Sequence, residues 1–384
     1  MKDAYIVGID MLTFGRYPQR TVVDLGAEAA LLALDDAGVS VRDIQALYCG
    51  NLYQASGMIG QRILREIGQT GIPVVNTANA CATGATAFRE GVISVQAGLY
   101  DLVLAVGCEQ MGAGLLSANT RNDNFVEEGA LGSGTMPAMF AQIGLEHARE
   151  YGTTFEQFAR VAVKNHHHAT MNPKAMYRKE TPLEDVMSAE MIAYPNTKLM
   201  CSVNVDGAAA AVIASEATMK RLGVTRRAVR VRASELTSNP FTPREFALPD
   251  FNEVSRLCAQ RAYERAGLDP KDLHLVELHD CFATAEIVHY ENLQLCERGE
   301  GGPLIDSGAT SLGGRIPVNV SGGLLSKGHP LGATGIANLY EVTTQLRGEA
   351  GARQVPNASM GLTHVCGGGP GLGTSCAVHI LEKV

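Results

Sequence analysis

Tryptophan is absent from this 384-residue chain, and aromatic residues make up only 5% of it. Without large rings, small side chains must do much of the packing, so backbone is expected to approach backbone or ligand closely. No two of the nine cysteines form a CxxC pair, and their number is odd. That excludes the usual structural-zinc pattern and a disulfide framework. No run of 18 apolar residues occurs, so nothing is expected to span a membrane. A positive excess is lacking too: the formal net charge is −8. This excludes a general nucleic-acid binder but leaves room for a local basic patch. No GxxxxGK[ST] phosphate loop is present. The start, MKDAYIVGID, lacks the pattern of a signal peptide, and the end, ILEKV, is neither a peroxisomal nor a prenylation signal. The expectation is a soluble cytoplasmic protein with reduced thiols.

What the chain has is glycine, 42 residues or about one in nine, and a length that suggests two domains or one large two-part unit. Short apolar runs at 4–9, 45–49, 72–76 and 102–107 alternate with helical patterns near 22–38, 57–68 and 82–97. Such alternation predicts an α/β fold with a mostly parallel sheet. The order breaks at about 112–200, a polar stretch with weaker helical patterns near 139–150 and 154–169, and resumes with the strand-like AAAAVIAS. A second series follows: a strand near 229–236, a helix at 251–266, HLVEL, a helix at 281–297, VNV, a helix near 333–347, ASMGL and CAVHI. The order predicts two similar βαβαβαββ halves: residues 1–111 with 201–224, and residues 225–384. Residues 112–200 form an insertion between two elements of the first half, of the kind that usually caps or binds.

Four segments could carry chemistry. In Asn79-Ala80-Cys81-Ala82-Thr83-Gly84, Cys81 sits at a strand-to-helix turn. There the helix dipole would lower the thiol pKa, and free N–H groups could hold an oxyanion. The alternative is a small core cysteine. In Ser321-Gly322-Gly323-Leu324-Leu325-Ser326-Lys327-Gly328-His329-Pro330, His329 rides a glycine-rich loop suited to a general base. The alternative there is an anion-binding turn with an incidental histidine. In His364-Val365-Cys366-Gly367-Gly368-Gly369, the glycines leave Cys366 open to a substrate, and its thiol could shuttle protons. It could equally be an ordinary loop cysteine. In Glu277-Leu278-His279-Asp280-Cys281-Phe282, His279 ends a strand, where ligands gather in open α/β sheets, and could donate to a carbonyl oxygen.

His166-His167-His168 looks metal-like, but consecutive side chains on a helix diverge. Arg160, Lys164, Lys174, Arg178 and Lys179 have no acid among them, which reads either as a phosphate-attracting patch or as a solvated face.

Together the four segments resemble the thiolase family over essentially the whole chain and in the family's order. NACATGATA is similar to its nucleophile turn, VNVSGGLLSKGHPLGATG to its glycine-rich GHP signature and HVCGGGPGLG to its C-terminal cysteine–glycine motif. Where most members carry Asn-Glu-Ala-Phe, this chain has His279-Asp280-Cys281-Phe282, which resembles the sterol-carrier-protein-2 type. The resemblance implies a layered α/β/α/β/α core with an inserted loop domain, 112–200, covering coenzyme A. It implies Cys81 as nucleophile, His329 as its activator, Cys366 as acid/base and His279 in place of the usual asparagine. Backbone N–H groups of Cys81 and Gly368 would form one oxyanion hole, and His329 would help hold the other thioester oxygen. Ser321, Gly322, Arg178 and Lys179 would contact substrate or coenzyme A. No metal or redox cofactor is implied, because acetyl-CoA, acyl-CoA and CoA are substrates. A homodimer or homotetramer is implied, and an OB-fold protein is a conceivable partner.

Two other activities compete. A β-ketoacyl-synthase-like enzyme would use Cys81, His279 and His329, but decarboxylative condensation needs no proton-abstracting thiol such as Cys366. A non-condensing subunit that binds acyl-CoA or sterol-CoA for a partner would be favoured by loss of the nucleophile, which is present.

Overall fold

The computed structural model describes residues 2–112, 135–241, 251–369 and 373–384. Part of the insertion, 113–134, and residues 370–372 of the last motif lie outside the described residues. In chain order the elements are β1 Ala4–Met11, α1 Val22–Ala37, β2 Ala46–Gly50, α2 Ile59–Ile67, β3 Val74–Thr77, α3 Thr83–Gln96 and β4 Leu102–Glu109. The insertion contributes α4 Met136–Tyr151, α5 Phe155–Thr170, α6 Leu183–Ser188 and the hairpin β5 Met191–Ala193 with β6 Asn196–Thr197. Then come β7 Gly207–Ser215, α7 Glu216–Leu222, β8 Val229–Ser238, α8 Phe251–Ala266, β9 Leu275–Glu277, α9 Ala283–Asn292, α10 Gly301–Asp306, α11 Gly323–Ser326, α12 Leu331–Arg347, β10 Met360–Gly369 and β11 Gly373–Lys383.

Nine strands join in the order β3-β2-β4-β7-β1-β8-β11-β10-β9. Outward from the β1–β8 junction, each half runs first, fifth, fourth and second strand, and the first half ends on its third, β3. The repeat predicted from the order of elements is thus present in the pairing. The halves meet through a short register, Tyr5 opposite Arg230 and Ile6 opposite Val229. The sheet is mixed: β2 runs parallel to β3 and β4, whereas β7 is antiparallel to β4 and β1. The third strand of the second half, predicted at VNV, is reduced to a single bridge between Val276 and Val318. Pro317 offers no N–H and Asn319 turns to φ +55°, so the ladder cannot extend.

Helices α3 and α12 fill the space between the two halves, and α1 and α8 cover the outer faces. The central pair approach closely because they meet on glycines. A Cβ at Gly335 would stand 2.3 Å from Ala85 N, and one at Gly84 would stand 2.4 Å from Gly332 O. That crossing brings the start of α12, and His329 just before it, against the turn that precedes α3. The shortage of aromatics and the glycine excess thus serve one purpose, close packing of the two helices that carry the motifs. Among the described residues no helix is long and apolar enough to cross a membrane.

Candidate active site

Cys81 follows β3 on a tight turn. Ala80 before it has φ +47°, left-handed backbone for a residue with a side chain. Thr83 clamps the turn: its Oγ1 accepts from Asn79 N at 2.8 Å and donates to Ala80 O at 2.6 Å. Gly367 of β10 presses on the same turn, since a Cβ there would lie 2.3 Å from Cys81 N. The thiol is 9% exposed. The expected lowering of its pKa by the helix is outweighed: burial pushes the thiol up to about 12. At rest Cys81 is a neutral thiol and needs a base.

The His329 imidazole lies beside that thiol. Its Nδ1 lies 2.8 Å from Thr334 Oγ1, and that hydroxyl donates its single proton to Pro330 O at 3.0 Å. Thr334 therefore accepts from Nδ1–H, and the lone pair of His329 is on Nε2. Nε2 is buried and has no hydrogen-bond partner. Burial, helped by the nearby Lys327 charge, lowers the imidazole pKa to about 3, so the ring is neutral. His279 packs edge-on against it, with ring centroids 5.1 Å apart. Its pKa is also lowered by burial, and its Nδ1 is likewise buried without a partner. One potential ligating atom from each of Cys81, His279 and His329 lies within 4.8 Å of the others.

Cys366 completes the group. Cys81, His279, Cys281, Cys366, Gly367 and Gly368 line one narrow pocket together with Met136, Phe140, Phe251 and Phe282. Phe140 stacks on Phe251 at 5.0 Å and on Phe282 at 5.2 Å, giving a rigid apolar wall. The Cys366 thiol pKa is raised by burial and by the neighbouring Cys81. The arrangement provides a thiol with an imidazole beside it, a second thiol across an apolar pocket, and neutral imidazoles with unpaired nitrogens.

The HDCF segment is anchored from the insertion. Asn165 Nδ2 of α5 donates to Asp280 Oδ2 at 2.8 Å and to Glu286 Oε2 at 2.7 Å. Asp280 also accepts the amides of Leu324 and Leu325. Lys164 is buried against Glu286 at 2.6 Å. The expected basic patch is correspondingly thinner. Besides Lys164, Lys174 pairs with Asp10 and Arg160 with Glu156, while Arg178 and Lys179 remain exposed.

Ser321 and Gly322 correct an expectation. Ser321 is fully buried, its hydroxyl donates to Glu277 Oε2 at 2.5 Å, and its carbonyl accepts from Asn172. Gly322, at φ +97°, packs where a Cβ would meet Ala169. Both residues build the loop that carries His329 and offer no free polar atom to coenzyme A. The histidine triplet diverges as expected: His166 bonds Ser326, His167 bonds Glu180 and His168 bonds Asn319 O.

Sequence reasoning missed Thr334, the aromatic wall and His289. His289 lies on α9 with its Nε2 3.6 Å from Cys366 Sγ. Ten residues separate it from His279, a spacing with no motif value; only the fold joins the two. His289, His364 and Cys366 also have a spacing a metal ion could use, but both His364 nitrogens and His289 Nδ1 already hold hydrogen bonds.

Comparison with known proteins fits this layout. Residues 4–193 match the thiolase N-terminal domain and residues 249–383 the thiolase C-terminal domain-like family. The acetyl-CoA acetyltransferase of Methanothermobacter thermautotrophicus is 40% identical over 397 residues, spanning the whole of both chains. Sterol carrier protein 2 of Bos taurus is 39% identical over 378 residues, covering 94% of this chain and 70% of that protein. The solved Ltp2-ChsH2(DUF35) aldolase is 26% identical with a TM-score of 0.83, covering 99% of this chain and 98% of that one. The chain belongs to the thiolase family, and its activity is that of a thiolase, an acyl-CoA:acetyl-CoA C-acyltransferase.

Proposed function

We propose that the thiolase reaction of this chain runs through an acyl group carried on Cys81. The observation that carries this reading is the unpartnered Nε2 lone pair of His329 beside a neutral Cys81 thiol. His329 takes the thiol proton as sulfur attacks the acyl-CoA carbonyl carbon, and returns it to the departing CoA sulfur. The amides of Cys81 and Gly368 hold the oxyanion on the Cys81 side. Acetyl-CoA then enters with its thioester oxygen toward His279 and toward His329, whose Nε2 has by then taken the proton of the Cys366 thiol. The Cys366 thiolate removes its α-proton, and the carbanion displaces Cys81, whose sulfur takes the His329 proton, to give 3-ketoacyl-CoA. In cleavage every step reverses, with Cys366 protonating the departing acetyl-CoA enolate. Arg178 and Lys179 bind the CoA phosphates, with the 112–200 insertion as cover. The acyl group lies against Met136, Phe140, Phe251 and Phe282.

The test is cleavage of acetoacetyl-CoA with free CoA, together with the intact mass of protein exposed to acetyl-CoA. Wild type gains one acetyl group and Cys81→Ser gains none. A wild-type protein that stays unmodified overturns the assignment.

The family supports a homodimer or homotetramer, and among the described residues the outer edge of β3, with Val75 exposed, has no partner strand. Similarity to an aldolase solved with a DUF35 component supports a second possibility, an OB-fold partner. Light scattering of the purified chain, alone and with such a partner, separates these states. A cytoplasmic setting suits the free thiols.

A further inference from the structure

The proton-shuttling thiol has its own set of donors, supplied by side chains with no place in the reaction described so far. His289 Nδ1 lies 3.2 Å from Asn292 Nδ2. The orientation of that amide is fixed from both ends: its Nδ2 also donates to Asn252 Oδ1 at 3.0 Å, and its Oδ1 faces Arg256 Nη1 at 3.5 Å. Nδ1 is therefore an acceptor, and the ring proton is on Nε2, 3.6 Å from Cys366 Sγ. A second arm reaches the same sulfur. His364 Nδ1 accepts the backbone N–H of His279 at 3.4 Å, so His364 Nε2–H donates to Ser255 Oγ at 3.1 Å. The Ser255 hydroxyl proton is then left free beside the sulfurs of Cys366 and Cys376. The rings of His289 and His364 pack at 4.5 Å.

We propose that His289 is a positioning residue for Cys366, donating its Nε2–H to the sulfur and, with Ser255, stabilising the thiolate. This rests on the reading of Cys366 as the acid/base. In cleavage the Cys366 S–H bond breaks, its proton goes to the enolate carbon, and the electron pair stays on sulfur. In condensation the α-C–H bond breaks, the proton goes to sulfur, and the pair enters the enolate. Either way the thiolate must exist in a cavity where burial disfavours it, and two oriented donors offset that. The groups facing Cys366 are Cys81, Cys281, Cys258 with Ser255 on α8, Cys376 on β11, and His289 on α9. Those facing His289 are His279, His364 and Asn292. His289 is itself held neutral by burial, so it acts as a dipole and not as a charge.

The experiment follows deuterium uptake into the acetyl methyl group of acetyl-CoA in D2O across pH, with intact-mass acetylation of Cys81 recorded alongside. His289→Leu is expected to slow exchange about tenfold or more, the scale of one hydrogen bond to a charged acceptor. Its pH midpoint should move upward, while Cys81 acetylation stays within about twofold. His289→Gln, which keeps an N–H near the same place, should recover most of the exchange. Unchanged exchange and midpoint in His289→Leu would overturn the proposal, as would a Gln variant as slow as Leu when both still acetylate. If His289→Leu does not fold, Ser255→Ala and the Gln variant decide. A raised midpoint in Ser255→Ala with near-normal exchange in Gln supports the proposal, and any other pair of results overturns it. Cys366→Ala separates the two levels: persistent exchange there removes the acid/base reading itself, whereas lost exchange there with normal exchange in His289→Leu removes only the role of His289.

Discussion

Thr334 decides which nitrogen of His329, beside Cys81, carries the lone pair. Its hydroxyl proton is committed to Pro330 O, so it can only accept from His329 Nδ1, and the basic lone pair falls on Nε2. Thr334→Val keeps the volume and removes the acceptor. The neutral ring is then free to move its proton to Nε2, the wrong tautomer for a base. Cys81 acetylation by acetyl-CoA is expected to slow by up to about 10²-fold, the lower end of what a positioned base contributes. Rapid-quench mass analysis reads the rate. An unchanged rate with an intact fold would mean that another group sets the tautomer.

Gly367→Ala should act on both stability and rate. The added Cβ would stand 2.3 Å from Cys81 N and 3.0 Å from Ala80 Cβ, mainly against backbone that cannot rotate away. Overpacking of this kind costs about 1–3 kcal/mol. The thermal midpoint should fall, and Cys81 acetylation should slow because the displaced amide is the proposed oxyanion donor. A variant with wild-type melting and a wild-type rate would show that the two segments lie farther apart in solution.

The repeat, the helices and the four motif residues that the fold brings together were legible in the sequence, because strand–helix alternation and glycine-rich turns are local signals. The two arms that fix tautomers were not legible. Thr334 is five residues beyond His329, where a threonine in a helix is unremarkable. His289 reaches Cys366 only because α9 packs beside β10. Ser321 misled for the opposite reason. Its place in the signature suggested ligand contact, while its hydroxyl is spent on the buried carboxylate of Glu277. The expected low thiol pKa failed because burial opposes the helix dipole, and sequence shows the helix start but not the degree of burial.

His279→Asn places the commoner family residue in the same segment. An amide still offers an N–H toward a thioester oxygen, so turnover of acetoacetyl-CoA should persist. The loss should stay below about 10²-fold, the cost of removing an oxyanion donor outright. Steady-state kcat and KM read this. Complete loss of turnover with normal Cys81 acetylation would make His279 essential to the second half-reaction.

Acid should weaken this protein as pH falls below about 6.5, well above the range of ordinary exposed carboxylates. Seven histidines, at 166, 168, 279, 289, 329, 364 and 379, have pKa values lowered by burial, several to about 3. In the unfolded chain each returns to near 6.5. Between about pH 6.5 and 3 the unfolded state therefore binds more protons at these sites, and stability present above pH 6.5 is lost as pH falls. Glu109, raised by burial to about 7, and Glu277 and Asp280, also raised, work in the opposite sense because their folded forms hold protons more tightly. The histidines outnumber them. Each uncompensated histidine gives a slope of about 1.4 kcal/mol per pH unit. Thermal midpoints measured from pH 8 to pH 5 should be level at first and then drop steeply below about 6.5. Activity should follow the same curve, since His329 stays neutral throughout and gives no titration of its own near 6.5. A level midpoint down to pH 5, or reversible loss of activity near 6.5 without unfolding, would mean that the imidazoles beside Cys81 gain protons in the folded protein.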